Sequence, residues 1–271
     1  MNRLKGKVAL VTGAGSGIGQ GIAELFGAEG ACVAILEIQA QWAKDTEAQL
    51  KSAGAQALGI HGDVSNSKDV QEAVQRCVRE WGRLDILVNN AGTSVQGTPT
   101  LIELSEAEWD RIMAVNVKGP FLCTQAAAPV IRAAGGGSII NISSISARSC
   151  YPGRGAYSMS KAALENLTLQ SAVELAPWKI RVNSISPGWF RTRMNEAVYQ
   201  RPGELPRRNA TIPLGRIGAV EDVARLAVFL ASEESDYITG ESIEIDGGLL
   251  AAALKSSAEL ARLRPTPDLA P

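Results

Sequence analysis

A tyrosine and a lysine spaced four residues apart are the side chains with the clearest chemical use in this sequence. Tyr157 and Lys161 fall within a helical pattern, where residues i and i+4 lie one turn apart on the same face. A free tyrosine titrates near pH ~10, and a nearby ammonium favours the phenolate, so the pair predicts a phenol tuned toward general acid–base catalysis. Spacing alone is weak support, so the surrounding residues decide the interpretation.

The histidine and cysteine content removes other kinds of active site. His61 is the only histidine, which excludes histidine-based metal sites and a Ser-His-Asp triad, and we expect no metal. The cysteines are widely spaced and form no Cys-x-x-Cys pair, so we expect reduced, buried thiols. They are Cys32, Cys77, Cys123 and Cys150.

The charge balance excludes a broad electrostatic partner. Lys and Arg number 27 against 28 Asp and Glu, so no overall basic field would hold a nucleic acid or an anionic membrane. No stretch gives the ~20 predominantly apolar residues that a membrane span needs, and the N-terminal residues do not read as an export signal. We therefore expect a cytoplasmic protein whose partner is a small molecule.

Short β-branched runs alternate with longer helical patterns along the chain. The predicted strands cover Lys7–Thr12, Ala31–Glu37, Ala55–Ile60, Asp85–Val88, Ser138–Ser143, Ile180–Ser186 and Ser242–Ile245. The predicted helices cover Gly17–Glu29, Ala40–Ala53, Lys68–Trp81, Glu106–Ala134, Ala156–Ala176 and Val220–Ala231. Because the first and fourth strands are continuously apolar, they are expected to be buried on both faces, as in a parallel sheet.

This alternation predicts an α/β fold built on one doubly wound, parallel, seven-stranded sheet with helices on both faces. At 271 residues, 45% of them hydrophobic, the chain is long enough for a single large core. We predict one domain over residues 1–248. Residues 249–271 are predicted to form a tail that is helix-prone to about Leu263 and is then broken by prolines.

A glycine-rich turn follows the first predicted strand and opens the first helix. Residues 12–19 read Thr-Gly-Ala-Gly-Ser-Gly-Ile-Gly, which lets the backbone approach a pyrophosphate and directs helix N-terminal amides at its charge. The spacing fits Gly-x-Gly-x-x-Gly in no register. It matches Thr-Gly-x-x-x-Gly-x-Gly, and in this motif the chain resembles the short-chain dehydrogenase/reductase family. The resemblance extends from Lys7 to about Gly248 and implies a Rossmann-type domain that binds a dinucleotide and carries the catalytic residues.

Glu37, at the end of the second strand, indicates which dinucleotide is bound. About 20 residues beyond the glycine loop, a carboxylate can accept hydrogen bonds from the adenosine ribose and would repel a 2′-phosphate. Family members that prefer NADP usually carry Arg or Lys where this chain has Ser16 and Ile38. We therefore predict NAD.

Other segments match the family's cofactor cleft in order. They are Asp63-Val64 after the third strand, Asn89-Asn90-Ala91-Gly92 after the fourth, and Pro187-Gly188 with Thr192 after the sixth. The cofactor-binding set that the resemblance implies is Gly13, Ser16, Gly17, Ile18, Gly19, Glu37, Asp63, Val64, Asn90, Ala91, Gly92, Tyr157, Lys161, Pro187, Gly188 and Thr192.

The resemblance also completes a catalytic set around Tyr157. Ser144 stands 13 residues earlier, where the family binds the substrate oxygen, and Asn116 matches the position that holds a water connecting the lysine to solvent. A structural asparagine in a helix kink is the competing interpretation of Asn116. The implied reaction is hydride transfer between a secondary alcohol and NAD, with Tyr157 as general acid–base, Ser144 holding the oxygen and Lys161 tuning Tyr157 and binding the ribose.

The substrate itself stays open at this point. Candidate contacts are Thr93, Val95, Gln96, Ser144, Ser146, Arg148, Tyr151, Arg154, Tyr157, Trp189, Met194 and Tyr199. Arg148 and Arg154 flank the reacting helix and favour an anionic hydroxy compound, whereas a sugar or polyol is the alternative.

Other functions were weighed beside alcohol oxidation. A non-catalytic NAD-binding regulatory scaffold is the alternative from another class, although such a protein would be expected to lack Tyr157, Lys161 or Ser144. An enoyl reductase would need a wider spacing between tyrosine and lysine, and a sugar-nucleotide epimerase usually has a longer C-terminal region. The resemblance further implies a homo-oligomer, a tetramer in which long helices pack between subunits.

Overall fold

The computed structural model describes residues 2–95, 97, 99–150, 152–192 and 195–252. Within them, seven strands form one fully parallel sheet in the order β3-β2-β1-β4-β5-β6-β7. The strands are β1 (Val8–Thr12), β2 (Cys32–Glu37), β3 (Ala57–His61), β4 (Ile86–Asn89), β5 (Gly137–Ile142), β6 (Ile180–Pro187) and β7 (Ser242–Ile245). All seven predicted strands are confirmed, with ends shifted by no more than two residues.

Strand β1 sits at the point where the order of the sheet reverses. It pairs with β2 on one side, where Leu10 is opposite Ala34, and with β4 on the other, where Leu10 is opposite Leu87. The chain winds outward from β1 to β3 and then returns to β4. In such sheets the crevice beyond the carboxyl ends of the two diverging strands is the usual ligand site.

Nine α-helices among the described residues surround this sheet. They are α1 (Gly17–Ala28), α2 (Ala40–Ser52), α3 (Ser67–Trp81), α4 (Glu106–Met113), α5 (Gly119–Ala133), α6 (Ala156–Leu175), α7 (Glu196–Tyr199), α8 (Glu204–Thr211) and α9 (Val220–Ala231). No helix in the described ranges is both long enough and apolar enough to cross a membrane.

The core is divided between the two faces of the sheet. Alternate β1 residues point to opposite faces, so Ala9 and Val11 join α1 and α9 while Val8 and Leu10 join α3 and α5. Fully buried large side chains such as Phe26 contribute about 1.5–3 kcal/mol each by leaving water. Helices therefore cover both faces, which confirms the predicted doubly wound α/β architecture.

The helix predicted over Glu106–Ala134 is confirmed as a continuous helical segment to Ala133, but it is not α-helical throughout. The structure has α4, then a π-helix over Ala114–Lys118, then α5. The fully buried Asn116 lies in the π-helix, and its amide bonds the backbone of Thr93, which the apolar pattern of the sequence does not reveal. Gly119 begins α5 beside Val64, where an added Cβ would lie 2.9 Å from the valine Cγ2.

The cysteines only partly meet the expectation of buried thiols. Cys77 and Cys123 are buried, and burial raises the pKa of each thiol to about 12. Cys32 is half-buried, and Cys150 is exposed, so the prediction is wrong for Cys150. Cys150 lies in the loop before α6, where no strand or helix pattern buries it. All four thiols are free.

The predicted tail lies almost entirely outside the described residues, which end at Ala252. Leu249 is buried and packs with Ile145 and Ile212.

Candidate active site

A cavity of about 830 Å³ lies at the carboxyl ends of the strands, over the β1/β4 crevice. Loops that follow six strands, β1 to β6, contribute to its walls. Predicted site residues on these walls are Gly13, Ser16, Gly17, Ile18, Glu37, Asp63, Val64, Asn90, Ala91, Gly92, Thr93, Ser144, Tyr157, Lys161, Pro187, Gly188 and Thr192. The sheet thus brings most of the predicted cofactor and catalytic positions together.

Three glycines of the loop after β1, Gly13, Gly15 and Gly19, have no room for a side chain. Gly13 has a positive φ of 62°, and a Cβ there would lie 2.7 Å from the Ala91 Cα. A Cβ on Gly19 would lie 2.5 Å from the Gly13 carbonyl oxygen, so Gly19 allows tight packing although it is not on the cavity wall. Because α1 begins at Gly17, the unpaired amides of its first turn lie at the cavity and form a site for an anionic group.

Thr12 and Asn90 join the ends of the two diverging strands. The Thr12 hydroxyl accepts hydrogen bonds of 3.0 Å from the amides of Asn90 and Ala91 and donates to the Val88 carbonyl at 3.3 Å. The Asn90 side-chain amide donates in return to the carbonyl oxygens of Thr12 and Gly13, both at 2.9 Å. The crevice therefore has a fixed geometry at its floor.

Glu37 presents a buried carboxylate on the wall beyond β2. It is 6% exposed, and its two oxygens accept the amides of Gly15 and Gln39, each at 3.1 Å. A carboxylate has about four acceptor positions, so two remain for hydroxyl donors. Trp42 is a wall residue that the sequence reasoning missed, and a Cβ on Gly15 would lie 2.6 Å from the Trp42 Cβ.

Asp63 and Val64 follow β3 as predicted. The Asp63 amide donates to Asp69 at 2.9 Å, and the Asp63 carboxylate accepts the Ser65 amide at 2.8 Å, which fixes the turn at the cavity. Val64 is buried between this wall and α5.

Lys161 lies one turn after Tyr157 near the start of α6. Its ammonium is 5.8 Å from the centre of the Tyr157 ring and donates to the Ile142 carbonyl oxygen at 2.7 Å. The side chain is almost fully buried, and this desolvation lowers the pKa of Lys161 to about 8.

The phenol of Tyr157 is acted on by opposing effects. Burial raises its pKa, while a hydrogen bond with Ser144 and the charge of Arg154 act in the opposite direction. Among the charged groups, Arg154 acts against the effect of burial, and the tuning of the phenol by Lys161 stays a prediction.

Ser143 and Ser144, which follow β5, have different neighbours. Ser144 lines the cavity with Tyr157 and acts to lower the pKa of that phenol, and the Ser144 hydroxyl accepts the Ser146 amide at 3.1 Å. Ser143 donates to the Lys161 carbonyl at 3.3 Å and to Glu165 at 3.4 Å. The second serine is therefore the one placed beside the phenol, as the spacing to Tyr157 predicts.

Asn116 lies behind the wall rather than on it. Its side-chain oxygen accepts the Thr93 amide at 2.8 Å, and its amide donates at 2.9 Å to the Thr93 carbonyl and to the Ser160 hydroxyl. A Cβ on Gly92 would lie 3.5 Å from the Asn116 oxygen and 3.6 Å from the Lys161 nitrogen. Asn116 and Lys161 therefore flank the same glycine.

Beyond β6, Asn195 holds the loop that carries Thr192. Its side-chain oxygen accepts the Thr192 amide at 2.8 Å, and its amide donates to the Phe190 carbonyl at 2.8 Å. Phe190 and Asn195 both line the cavity and were missed, although a Thr-x-x-Asn spacing after the strand is a sequence signal for such a turn. A Cβ on Gly188 would lie 2.6 Å from the Asp246 Cβ.

The predicted substrate positions are dispersed. Arg148 is ion-paired with Glu165 at 3.2 Å and Glu244 at 2.7 Å, away from the cavity wall. Ser146 is buried below the wall, and Trp189 packs against a small apolar cluster with Ile145, Ile212 and Leu249. Three further predicted contacts, Gln96, Tyr151 and Met194, lie outside the described residues.

Arg154 lies beside the reacting phenol, although neither Arg154 nor Tyr199 is on the cavity wall. The Arg154 guanidinium carbon is 5.9 Å from the Tyr157 ring centre, and its charge also lowers the pKa of Tyr199. Burial has the larger effect on Tyr199 and raises its pKa.

The sequence of this chain is similar to those of known oxidoreductases. A family model described as "Enoyl-(Acyl carrier protein) reductase" matches residues 13–250. The (3R)-3-hydroxyacyl-CoA dehydrogenase of Rattus norvegicus is 43% identical over 258 residues, which cover 91% of this chain and 97% of that relative. The 3-oxoacyl-[acyl-carrier-protein] reductase FabG of Thermotoga maritima is 40% identical, covering 92% and 99%.

A solved structure gives the same result for the fold. The short-chain type dehydrogenase/reductase from Mycobacterium marinum superposes with a TM-score of 0.84 at 38% identity, covering 91% of this chain and 96% of that one. Fold and site together define an oxidoreductase that binds a nicotinamide cofactor and acts on hydroxyl or keto groups. The chain belongs to the short-chain dehydrogenase/reductase family.

Proposed function

We propose that this chain catalyses the NAD-linked interconversion of a secondary alcohol and a ketone. One observation carries the proposal: Ser144, Tyr157 and Lys161 line the same cavity as the glycine loop and Glu37. The residue proposed to exchange protons and the proposed dinucleotide site thereby share one cavity. No described relative or structural neighbour supports the alternative of a non-catalytic scaffold.

The walls fit a dinucleotide. The side-chain-free loop at Gly13 and the first turn of α1 suit the pyrophosphate, and the two remaining acceptor positions of Glu37 suit the ribose hydroxyls. A 2′-phosphate would meet the buried negative charge of Glu37, which supports NAD over NADP. When bound, the nicotinamide supplies the acceptor or donor of the hydride.

Tyr157 is proposed to move the proton. During oxidation the phenolate form of Tyr157 accepts the substrate O–H proton, while the carbinol C–H bond breaks, its hydride passes to the bound nicotinamide, and a C=O bond forms. In the reverse direction the neutral phenol gives its proton to the carbonyl oxygen. Ser144, which lines the same cavity as the phenol, is proposed to hold the substrate oxygen.

Lys161 and Asn116 are proposed to support this transfer. The buried ammonium of Lys161 lies one helical turn from the phenol and stabilises negative charge that forms on it. Asn116 fixes the Thr93 loop and Ser160, and it flanks Gly92 together with Lys161. We assign it the relay role that its sequence position implies.

The reaction at an alcohol is proposed in preference to the enoyl reduction named in the family model's description. Tyr157 and Lys161 are four residues apart, which is narrower than we expect for an enoyl reductase. The names of two relatives refer to 3-hydroxyacyl and 3-oxoacyl compounds, in which a hydroxyl or keto group is close to an acyl carbon. A sugar or polyol, or an anionic hydroxy compound, remains the proposed substrate class.

The test is absorbance at 340 nm with NAD or NADH across a panel of secondary alcohols, ketones and enoyl thioesters. Turnover of an alcohol–ketone pair that Tyr157→Phe abolishes supports the proposal. Turnover of enoyl thioesters alone, or unchanged activity in Tyr157→Phe, would overturn it.

We also propose a cytoplasmic homotetramer. Helices α5 and α6 carry exposed apolar side chains, including Phe121, Leu169 and Val173, which is 77% exposed. Light scattering should give four times the 28.6 kDa chain mass, and a monomer would contradict the proposal.

A further inference from the structure

The arginines on the segments around the cavity differ in their charge partners. Six of them are ion-paired: Arg111 with Glu108, Arg148 with Glu165 and Glu244, Arg191 with Glu196, Arg207 and Arg208 with Glu204, and Arg216 with Asp222. Arg154 has no carboxylate within ion-pair distance among the described residues, although it is half-buried. A partly desolvated cation without a counter-charge is unfavourable, and an incoming anion relieves that cost.

Tyr199 lies beside α8, which carries two arginines and one carboxylate. Arg207 and Arg208 share one carboxylate, that of Glu204, at 2.7 and 2.6 Å. The Arg208 guanidinium lies 4.5 Å from the Trp189 ring centre and 5.2 Å from that of Tyr199. This arrangement holds Tyr199 in place without neutralising Arg154.

A second, independent observation comes from Tyr199. Tyr199 is 6% exposed, and its buried hydroxyl makes no hydrogen bond of normal geometry among the described residues, although the nearby Arg208 guanidinium lowers the pKa of Tyr199. A buried hydroxyl without a partner costs about 1–3 kcal/mol, so it is favourable for a ligand to supply one. Arg154 is close enough to Tyr199 for its charge to act on the phenol.

The geometry points to Arg154 and Tyr199 as a subsite for a carboxylate on the substrate, next to the reacting phenol of Tyr157. Arg154 offers a planar fork of N–H donors and Tyr199 offers one O–H donor, a combination that suits a carboxylate. Because the Arg154 guanidinium is 5.9 Å from the Tyr157 ring centre, the carboxylate lies on a carbon close to the reacting one. The substrate class is then a short hydroxy acid or oxo acid rather than a neutral polyol. This inference rests on the proposed function of Tyr157.

The test measures binding rather than turnover. Fluorescence of the enzyme–NADH complex is titrated with matched acid and neutral pairs: acetoacetate with acetoacetamide, pyruvate with pyruvamide, and gluconate with sorbitol. Arg154→Gln removes the charge, Arg154→Lys keeps it without the fork, and Tyr199→Phe removes the hydroxyl. Arg207→Gln is the matched control, since it makes the same charge change at an exposed residue that is already ion-paired.

The wild-type complex should bind at least one acid about tenfold or more tightly than its neutral partner, the ratio for one charge-assisted hydrogen bond. Arg154→Gln should abolish that ratio, Arg154→Lys and Tyr199→Phe should lower it, and Arg207→Gln should leave it unchanged. A wild-type complex that binds no acid preferentially, or an Arg154→Gln complex that keeps the ratio, overturns the inference. Failure of the proposed function would show separately, as absent NADH binding or absent hydride transfer to every ketone.

Discussion

The side-chain amide of Asn116 donates a 2.9 Å hydrogen bond to the Ser160 hydroxyl, which in turn donates to the Tyr157 carbonyl oxygen at 2.7 Å. The same asparagine satisfies both backbone groups of Thr93. A residue of the π-helix is thereby coupled to the first turn of α6 and to the loop after β4. Asn116 is thus a structural link whatever its part in proton transfer.

Asn116→Ala should destabilise the fold as well as lower turnover. The substitution leaves the buried groups of Thr93 and Ser160 without their partner, at a cost of about 1–3 kcal/mol per unsatisfied group. Urea unfolding gives the stability, and kcat measured well below the unfolding midpoint gives the catalytic effect. Asn66→Ala, which removes an exposed cap of α3, is the control for a lost side-chain acceptor. Unchanged stability would show that the network is not needed.

Tyr157→Phe should abolish turnover while NAD binding is kept. The phenol oxygen carries the proposed proton transfer, worth about 10²–10⁴-fold in rate, and the ring remains to fill its place. Isothermal titration with NAD checks binding, and absorbance at 340 nm checks turnover. Tyr237→Phe, at a fully exposed position, is the matched control. A variant that loses NAD binding would indicate a structural role instead.

Replacing Lys161 should change how stability depends on pH. The pKa of Lys161 is about 8 in the folded protein and 10.5 in its ordinary state, so between these values the unfolded chain holds one more proton than the folded one. Wild-type stability should therefore rise from pH 8 toward pH 10 relative to Lys161→Met, by on the order of 1–3 kcal/mol. Above pH 10 the raised pKa of Tyr157 acts in the opposite direction, because the unfolded phenol then loses its proton first.

Urea midpoints of the two proteins from pH 7 to pH 10 give this difference. If stability changed with pH equally in the wild type and in Lys161→Met, the result would contradict a lowered pKa at Lys161.

Glu37→Ala should reduce the preference for NAD. It removes the acceptor positions proposed for the ribose and the negative charge proposed to oppose a 2′-phosphate. We expect the Kd for NAD to rise roughly tenfold and the Kd for NADP to fall, the first corresponding to about 1.4 kcal/mol. Fluorescence titration with both reduced cofactors measures the ratio, and Glu47→Ala on the surface of α2 is the control. If the affinities for both cofactors fell equally, Glu37 would only hold the glycine loop in place.

Glu165→Ala should lower thermal stability by several degrees. One carboxylate oxygen accepts the hydroxyls of Ser186 and Ser242 at 2.8 Å and that of Ser143 at 3.4 Å, which joins α6 to the ends of three strands. Loss of about 1–2 kcal/mol of hydrogen bonding corresponds to roughly 2–8 °C in a chain of this size. Calorimetry measures the shift, with the exposed Glu174→Ala as reference. A Tm within one degree of that of Glu174→Ala would show that Glu165 does not stabilise the fold in this way.

The sheet was predictable from sequence because strands buried on both faces must be continuously apolar, as β1 and β4 are. The cofactor walls were predictable because a tight glycine turn and a carboxylate at a strand end are local signals. The π-helix was not, since Asn116 stabilises it by bonding Thr93, 23 residues away. For the same reason the sequence did not distinguish Arg148 from Arg154: only the fold brings Glu165 and Glu244 to one of them.

Thr12 fixes the distance between the carboxyl ends of β1 and β4, where the chain leaves the sheet. The Thr12 hydroxyl makes hydrogen bonds with three backbone groups of β4 and the loop after it. The lengths of these hydrogen bonds set the width of the crevice. If either the loop after β1 or the loop after β4 moved outward alone, the hydrogen bonds between the two loops would break. A ligand in this cavity therefore meets a floor that hydrogen bonds hold in place.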